Sequence, residues 1–159
     1  GNEIQQVPLD SVGELWVTML DVQETFDSLV RDTSQTVERA NEVNLEMSEY
    51  IVRRVAEDNG GNLEGKSVLV VGVAYKPNVA DTRETPAELL IEALMDLGAV
   101  VSWNDPVVGS WHGSESSPLS GADIAVVVTK HDVVASEDVL KSAPYVFDTT
   151  GKVKTSHTL

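Results

Sequence analysis

Lys76 and Arg83, seven positions apart in a polar loop, are the residues of this chain best suited to anion chemistry. They lie in the segment VLVVGVAYKPNVADTRETPA, Val68 to Ala87. A lysine is a compact charge for a phosphate oxygen, and an arginine offers a flat fork that bridges two oxygens. Thr85, Pro86 and Glu88 are the types expected at the N-cap, the first position and the capping-box carboxylate of a helix. The N-terminus of such a helix favours anions. Asn78, Asp81 and Glu84 are suited to orienting the two cations or closing the turn, with Asn78 reading best as turn structure. Two loop cations taken alone are more often solvated surface charges, so the surrounding elements decide.

Val68 to Val71 is a short apolar, β-branched run, the pattern of a strand covered on both faces, and Gly72 ends it. Strands are expected near 66–73, 99–103, 123–129 and 144–148, with helices at 86–97 and 136–142. Gly98 closes the first of these helices. The piece from Asn104 to Gly121, rich in serine and glycine, reads as a surface connection too polar for a strand. Alternating strands and helices imply an α/β unit: a Rossmann-like parallel sheet with right-handed crossovers and helices on both faces. In such sheets the loop after a strand lies at the carboxyl edge, where ligands bind. That edge is where the sequence puts Tyr75, Lys76 and Arg83.

Ahead of the α/β unit, assigned to residues 61–159, a helical arm is expected over 1–60. Residues 1–10 are polar and expected to be loose. Leu15, Met19, Val22, Phe26 and Leu29 recur at three and four, predicting an amphipathic helix over 11–30. A long helix follows over about 33–58, with Val37, Ala40, Val43, Asn44, Met47, Tyr50, Ile51 and Val55 on one broad stripe. At 1.5 Å per residue it is roughly 35 to 40 Å long, more than the α/β unit needs, so part of the stripe is expected to pack elsewhere. Gly60 and Gly61 end it.

The 159 residues, 42% hydrophobic, suffice for one sizeable core and an appendage. A net charge of -15 argues against binding nucleic acid or an anionic membrane, and reads as a solvated acidic surface. No apolar run reaches the roughly eighteen residues of a membrane span and no leader opens the chain, so a cytoplasmic protein is expected. With no cysteine there is no disulfide and no thiolate ligand. His112, His131 and His157 are too scattered for a metal site.

A dinucleotide fingerprint reads G-x-G-x-x-G, and here Gly72 is followed by Val73 and Ala74, so an NAD pyrophosphate is not expected on this turn. Asp105 stands 33 residues after Gly72, where a ribose-holding acid comes about 20 on, and it reads as a strand-end turn with Pro106. Trp103 and Trp111 read as packing residues.

The segment GVAYKPNVADTRETPA resembles the G-x-A-[YF]-K-x-(N/D)-x-x-D-x-R-E-[ST]-P stretch of the UDP-glucose/GDP-mannose dehydrogenase family. That family oxidises the C6 alcohol of a nucleotide sugar to a carboxylate with two NAD. The likeness extends more loosely from about Asp32 to Val153, over the family's central helix and C-terminal UDP-binding domain. It implies that Tyr75 and Lys76 contact the UDP-sugar, that Arg83 reaches NAD held by an N-terminal cofactor domain, and that the long helix mediates a homodimer. His131, in TKHD, resembles a family segment beside the site.

Several departures accompany the likeness. Ala80 stands where the family usually has a second acid, and Thr150 falls where an arginine reaches the partner subunit's substrate. The chain has neither the G-x-G-x-x-G cofactor domain nor the G-G-x-C-[IF]-P cysteine of the second oxidation. The resemblance therefore implies the UDP-sugar-binding portion of an NAD-dependent nucleotide-sugar 6-dehydrogenase, without catalytic residues of its own and inactive alone. The alternative is a stand-alone nucleotide-binding or assembly module of the same fold. AYKPN and RETPA look closer to the dehydrogenases of UDP-N-acetylhexosamines than to those of UDP-glucose.

Overall fold

The computed structural model describes residues 34–159, with side chains from residue 42 onward. The expected helix over 11–30 lies outside the described residues. The first element, α1, spans Ser34–Asp58 and matches the long helix read from the sequence. Met47, Ile51, Val52, Val55 and Ala56 bury one face of it in the main core. At its end, Asn59 Nδ2 donates to the Val55 carbonyl at 2.7 Å and the Gly61 N–H to that of Ala56 at 2.8 Å. Gly60 and Gly61 supply the left-handed conformations that this stop requires.

Then follow β1 (Ser67–Val71), α2 (Pro86–Asp96), β2 (Val100–Asn104), β3 (Ser110–Trp111), β4 (Ser114–Glu115), β5 (Ile124–Val127), α3 (Ser136–Lys141), β6 (Tyr145–Asp148) and β7 (His157–Thr158). Five strands form a parallel sheet in the order β2-β1-β5-β6-β7. Val68 and Val70 face a core shared with α1 and α2, while Leu69 and Val71 face a second core containing Val139 of α3. Both faces of β1 are thereby covered, as its unbroken apolar run predicts. On α2, Leu90 and Leu94 sit one turn apart and fully buried, each contributing about 1.5–3 kcal/mol of burial free energy.

Three local expectations are corrected. The connection after β2 is not free of strands: it folds into the β3-β4 hairpin, turned by His112 and Gly113 at φ 50 and 77. Two successive positive φ values match the twist of a tight hairpin, but His in place of Asn or Asp hides the signal. The indoles hold it in place, with Trp111 edge-on to Trp103 at 5.9 Å and Trp103 Nε1 donating to Ser114 Oγ at 2.9 Å. At α2, Thr85 caps by accepting from the Ala87 N–H at 3.3 Å, but its own N–H donates to the Thr82 carbonyl, so no capping box forms. The Glu88 carboxylate instead meets His112 Nε2 at 3.1 Å. Finally, β7 adds a fifth strand that two polar residues gave no reason to expect.

Candidate functional site

The chain leaves β1 toward β2 on one side and returns to β5 on the other, so the order of the sheet reverses between β1 and β5. A crevice at the carboxyl ends of two such strands is where open α/β sheets bind ligands. Two loops meet there, 72–85 after β1 and 128–135 after β5. Gly72 allows the meeting: its φ is 88, and a Cβ on it would lie 2.0 Å from the Thr129 carbonyl oxygen. Thr129 Oγ1 donates to the Ala74 carbonyl at 2.7 Å and closes the junction.

Asp105, at the end of β2, is fully buried and accepts five hydrogen bonds. Its Oδ2 takes the N–H groups of Val73 and Ala74 at 2.9 and 3.1 Å and lies 2.8 Å from His131 Nε2. Its Oδ1 takes the N–H groups of Val107 and Val108 at 3.0 and 2.9 Å. Burial alone would raise the pKa of this carboxyl, but the His131 donor and the N–H groups of Val108 and Val73 outweigh it and hold the pKa below its ordinary value. The turn donors that would cradle a pyrophosphate in a dinucleotide-binding sheet are thus consumed by a side chain. Asp105 closes a strand-end turn, as read from its spacing, and no ribose can use its saturated oxygens.

His131 is 1% exposed and joins the two loops. Its Nδ1 accepts from the Asn78 N–H at 2.8 Å, so Nε2 carries the proton given to Asp105. Asn78, at φ 66, exchanges two further bonds with Asp132: Nδ2 to Oδ2 at 3.2 Å, and the Asp132 N–H to Oδ1 at 2.9 Å. The Tyr75 N–H donates to the Asp81 carbonyl at 2.9 Å and closes the base of the loop. Asn78 is therefore a clip between loops, more than the local turn residue its type suggested.

The sequence-predicted site residues all lie on this loop. Tyr75 and Lys76 are half-buried at its start, with Lys76 Nζ 5.1 Å from the centre of the Tyr75 ring. Arg83 is 88% exposed at its end and grips Asp81 through Nε and Nη2, the latter at 2.7 Å. Hydrogen bonds from the Arg83 side chain and N–H hold the Asp81 carboxyl down at about 2. Ala80 leaves this pairing to Asp81 alone. Thr150 turns back on its own strand, giving its N–H and hydroxyl to Asp148 Oδ1 at 2.8 and 2.7 Å. Lys130 was not singled out from the sequence; it is buried, and its Nζ donates to the His131 carbonyl at 2.9 Å. Among the described residues no group of His, Asp and Glu could hold a metal ion, and no helix is long and apolar enough to cross a membrane.

Residues 69–155 match the model of the UDP binding domain of the UDP-glucose/GDP-mannose dehydrogenase family. The chain is 32% identical over 130 residues to a UDP-N-acetyl-D-mannosamine dehydrogenase of Methanococcus maripaludis, covering 74% of this chain and 30% of that protein. To a UDP-glucose 6-dehydrogenase of Haloferax volcanii it is 39% identical over 87 residues, 48% of this chain and 20% of the relative. In structure it is similar to the UDP-N-acetyl-mannosamine dehydrogenase of S. aureus, with a TM-score of 0.58 at 23% identity over 84% of this chain and 33% of that one. The chain thus spans about a third or less of these proteins, and the structural likeness supports the fold.

Proposed function

The chain belongs to the UDP-glucose/GDP-mannose dehydrogenase family, and from that membership we propose that it is the UDP-sugar-binding portion of an NAD-dependent UDP-sugar 6-dehydrogenase. The observation that carries the reading is the loop after β1, which brings Tyr75 and Lys76 together at the sheet's reversal point while Asp105 consumes the turn's N–H donors. A nucleotide here is bound by side chains. Lys76 places its ammonium on a phosphate oxygen, and Tyr75 covers the base or the sugar.

NAD, when bound, accepts the hydride. Its pyrophosphate does not fit the 72–74 turn, because the Val73 and Ala74 donors already serve Asp105. It is held by the family's cofactor domain, and Arg83, oriented by Asp81 and open to that side chain's surroundings, reaches it from this chain. The helix α1 serves as the dimerisation element, with residues 61–159 as the binding domain. The chain alone then binds a UDP-sugar without oxidising it. Thr150, folded onto Asp148, favours a second reading, a non-catalytic nucleotide-binding or assembly module. The UDP-N-acetylhexosamines are the sugars proposed, in keeping with the names of relatives such as the Methanococcus enzyme.

Calorimetric titration with UDP, UDP-glucose and UDP-N-acetylmannosamine tests the proposal. Binding is expected for all three, and Lys76→Ala should weaken it about tenfold or more, the worth of a charge-assisted hydrogen bond. A mutant that titrates like the wild type would make Lys76 a surface charge. NADH formation by the isolated chain would sink the assignment.

A further inference from the structure

We propose that His131 is the positioning residue of the nucleotide loop: by accepting the Asn78 N–H on Nδ1 while anchored to Asp105 through Nε2, it sets where Tyr75 and Lys76 stand. The inference rests on the UDP-sugar reading of that loop and adds the device that shapes it. The loop from Tyr75 to Asp81 is closed at its base by one backbone bond, the Tyr75 N–H to the Asp81 carbonyl. Most of its residues are exposed, and Pro77, Val79 and Ala80 provide no buried side chain to hold it. Among the described residues, Asn78 ties the tip of the loop to the sheet, and it reaches the buried interior through the imidazole of His131; its other partner, Asp132, is exposed.

The anchor is rigid at its other end. Asp105 is saturated by backbone donors from the β1 turn and from the residues after β2, so the Nε2–H of His131 meets an acceptor that cannot swing away. Asp105, His131 and Asn78 form a line of two 2.8 Å contacts from the sheet to the loop, crossing the reversal point between β1 and β5. Lys76 is two residues from Asn78, so a slack clip displaces its ammonium directly. A phosphate contact depends on placement to within about 0.5 Å.

The two nitrogens can be separated by substitution. Glutamine carries an N–H donor where Nε2 stands and loses the Nδ1 acceptor; asparagine keeps an acceptor near Nδ1 and loses the reach to Asp105. Backbone amide exchange at Asn78 is read alongside calorimetric titration with UDP and chemical denaturation. For His131→Gln the expected result is at least tenfold faster Asn78 exchange and about tenfold weaker UDP binding, with a nearly unchanged denaturation midpoint. For His131→Asn, which loses the anchor on Asp105, it is a lowered midpoint together with weaker UDP binding.

UDP affinity unchanged from wild type in either variant, or unaltered Asn78 exchange in His131→Gln, overturns the proposal. Asn78→Gly keeps the left-handed turn and the N–H to His131 while removing the Asp132 contacts, and should bind UDP nearly as wild type does. If it binds as weakly as His131→Gln, or shows the loss when His131→Gln fails to fold, the imidazole is not what sets the loop. If the wild type itself does not bind UDP, the nucleotide assignment fails, and Asn78 exchange still decides whether His131 holds the loop.

Discussion

A Cβ placed on Gly72 would lie 2.0 Å from the carbonyl oxygen of Thr129, so the two loops of the crevice touch at a point where only hydrogen fits. The obstacle is backbone, held by the Thr129 N–H to the Val71 carbonyl and by the hydroxyl bond to Ala74, and it has no rotamer through which to escape.

Gly72→Ala should therefore destabilise the protein by at least about 3 kcal/mol, through the clash and the positive φ together. Urea denaturation checks it. An unchanged midpoint would show that the 72–85 and 128–135 loops are not packed as described.

Asp105→Asn is expected to cost about 2–5 kcal/mol, because an amide has one acceptor oxygen where the carboxylate has two: it cannot accept both from Val73, Ala74 and His131 and from Val107 and Val108, and it presents its own N–H groups to one of the two sets. The lowered pKa of Asp105 fixes the sign of its pH dependence. Its contribution is complete above the unfolded carboxyl's value, about 3.9, and is lost as the pH falls through the lower folded value. Stability measured from pH 6 down to pH 3 should fall less steeply in the mutant than in the wild type. Parallel curves would remove Asp105 from the acid transition.

The longer strands, the central glycine and the loop that carries Tyr75, Lys76 and Arg83 were legible because each is a local pattern: a β-branched run, a glycine after it, cations before a threonine-proline helix start. The devices that hold the site were not. Asp105 and His131 are 26 positions apart, and His131 and Asn78 are 53 apart; nothing in either neighbourhood signals the pairing. Asp105 read correctly as a strand-end turn from its spacing, yet its grip on the Val73 and Ala74 donors came only with the fold. The β3-β4 hairpin was hidden for the opposite reason: its strands are two residues each, too short for alternation to show. The helix α1 announced itself by its stripe, but what its end binds depends on Tyr145, 87 positions away.

Asp81 should titrate near pH 2, since the Arg83 fork and N–H favour its charged form. Carbon-detected NMR of the side-chain carboxyl measures this directly. In Arg83→Ala the midpoint should return toward the ordinary 3.8. The sign for stability follows: the pair contributes above the unfolded value and is lost as the pH drops toward 2, and the contribution is small because both groups meet solvent. A wild-type midpoint near 4 would mean that the fork is not populated in solution and that Arg83 is not oriented by Asp81.

The hydroxyl of Tyr145 donates to Asp58 Oδ2 at 2.6 Å, fastening the end of α1 to β6, with the His157 ring stacked on the tyrosine at 4.2 Å. Burial, and then the bond to Asp58, raise the phenol's pKa well above its usual value. For an acid raised in the folded state, the stabilising contribution is complete below the unfolded value, about 10, and lost as the pH rises through the folded one. Tyr145→Phe should lower stability by about 1–2 kcal/mol at neutral pH and flatten the alkaline limb of the stability curve. Ultraviolet titration offers an independent check, because the chain has three tyrosines. One of them should resist ionisation until the protein unfolds, and in Tyr145→Phe that late component should vanish. If all three ionise together near pH 10 in the folded wild type, Tyr145 does not hold α1 to the sheet.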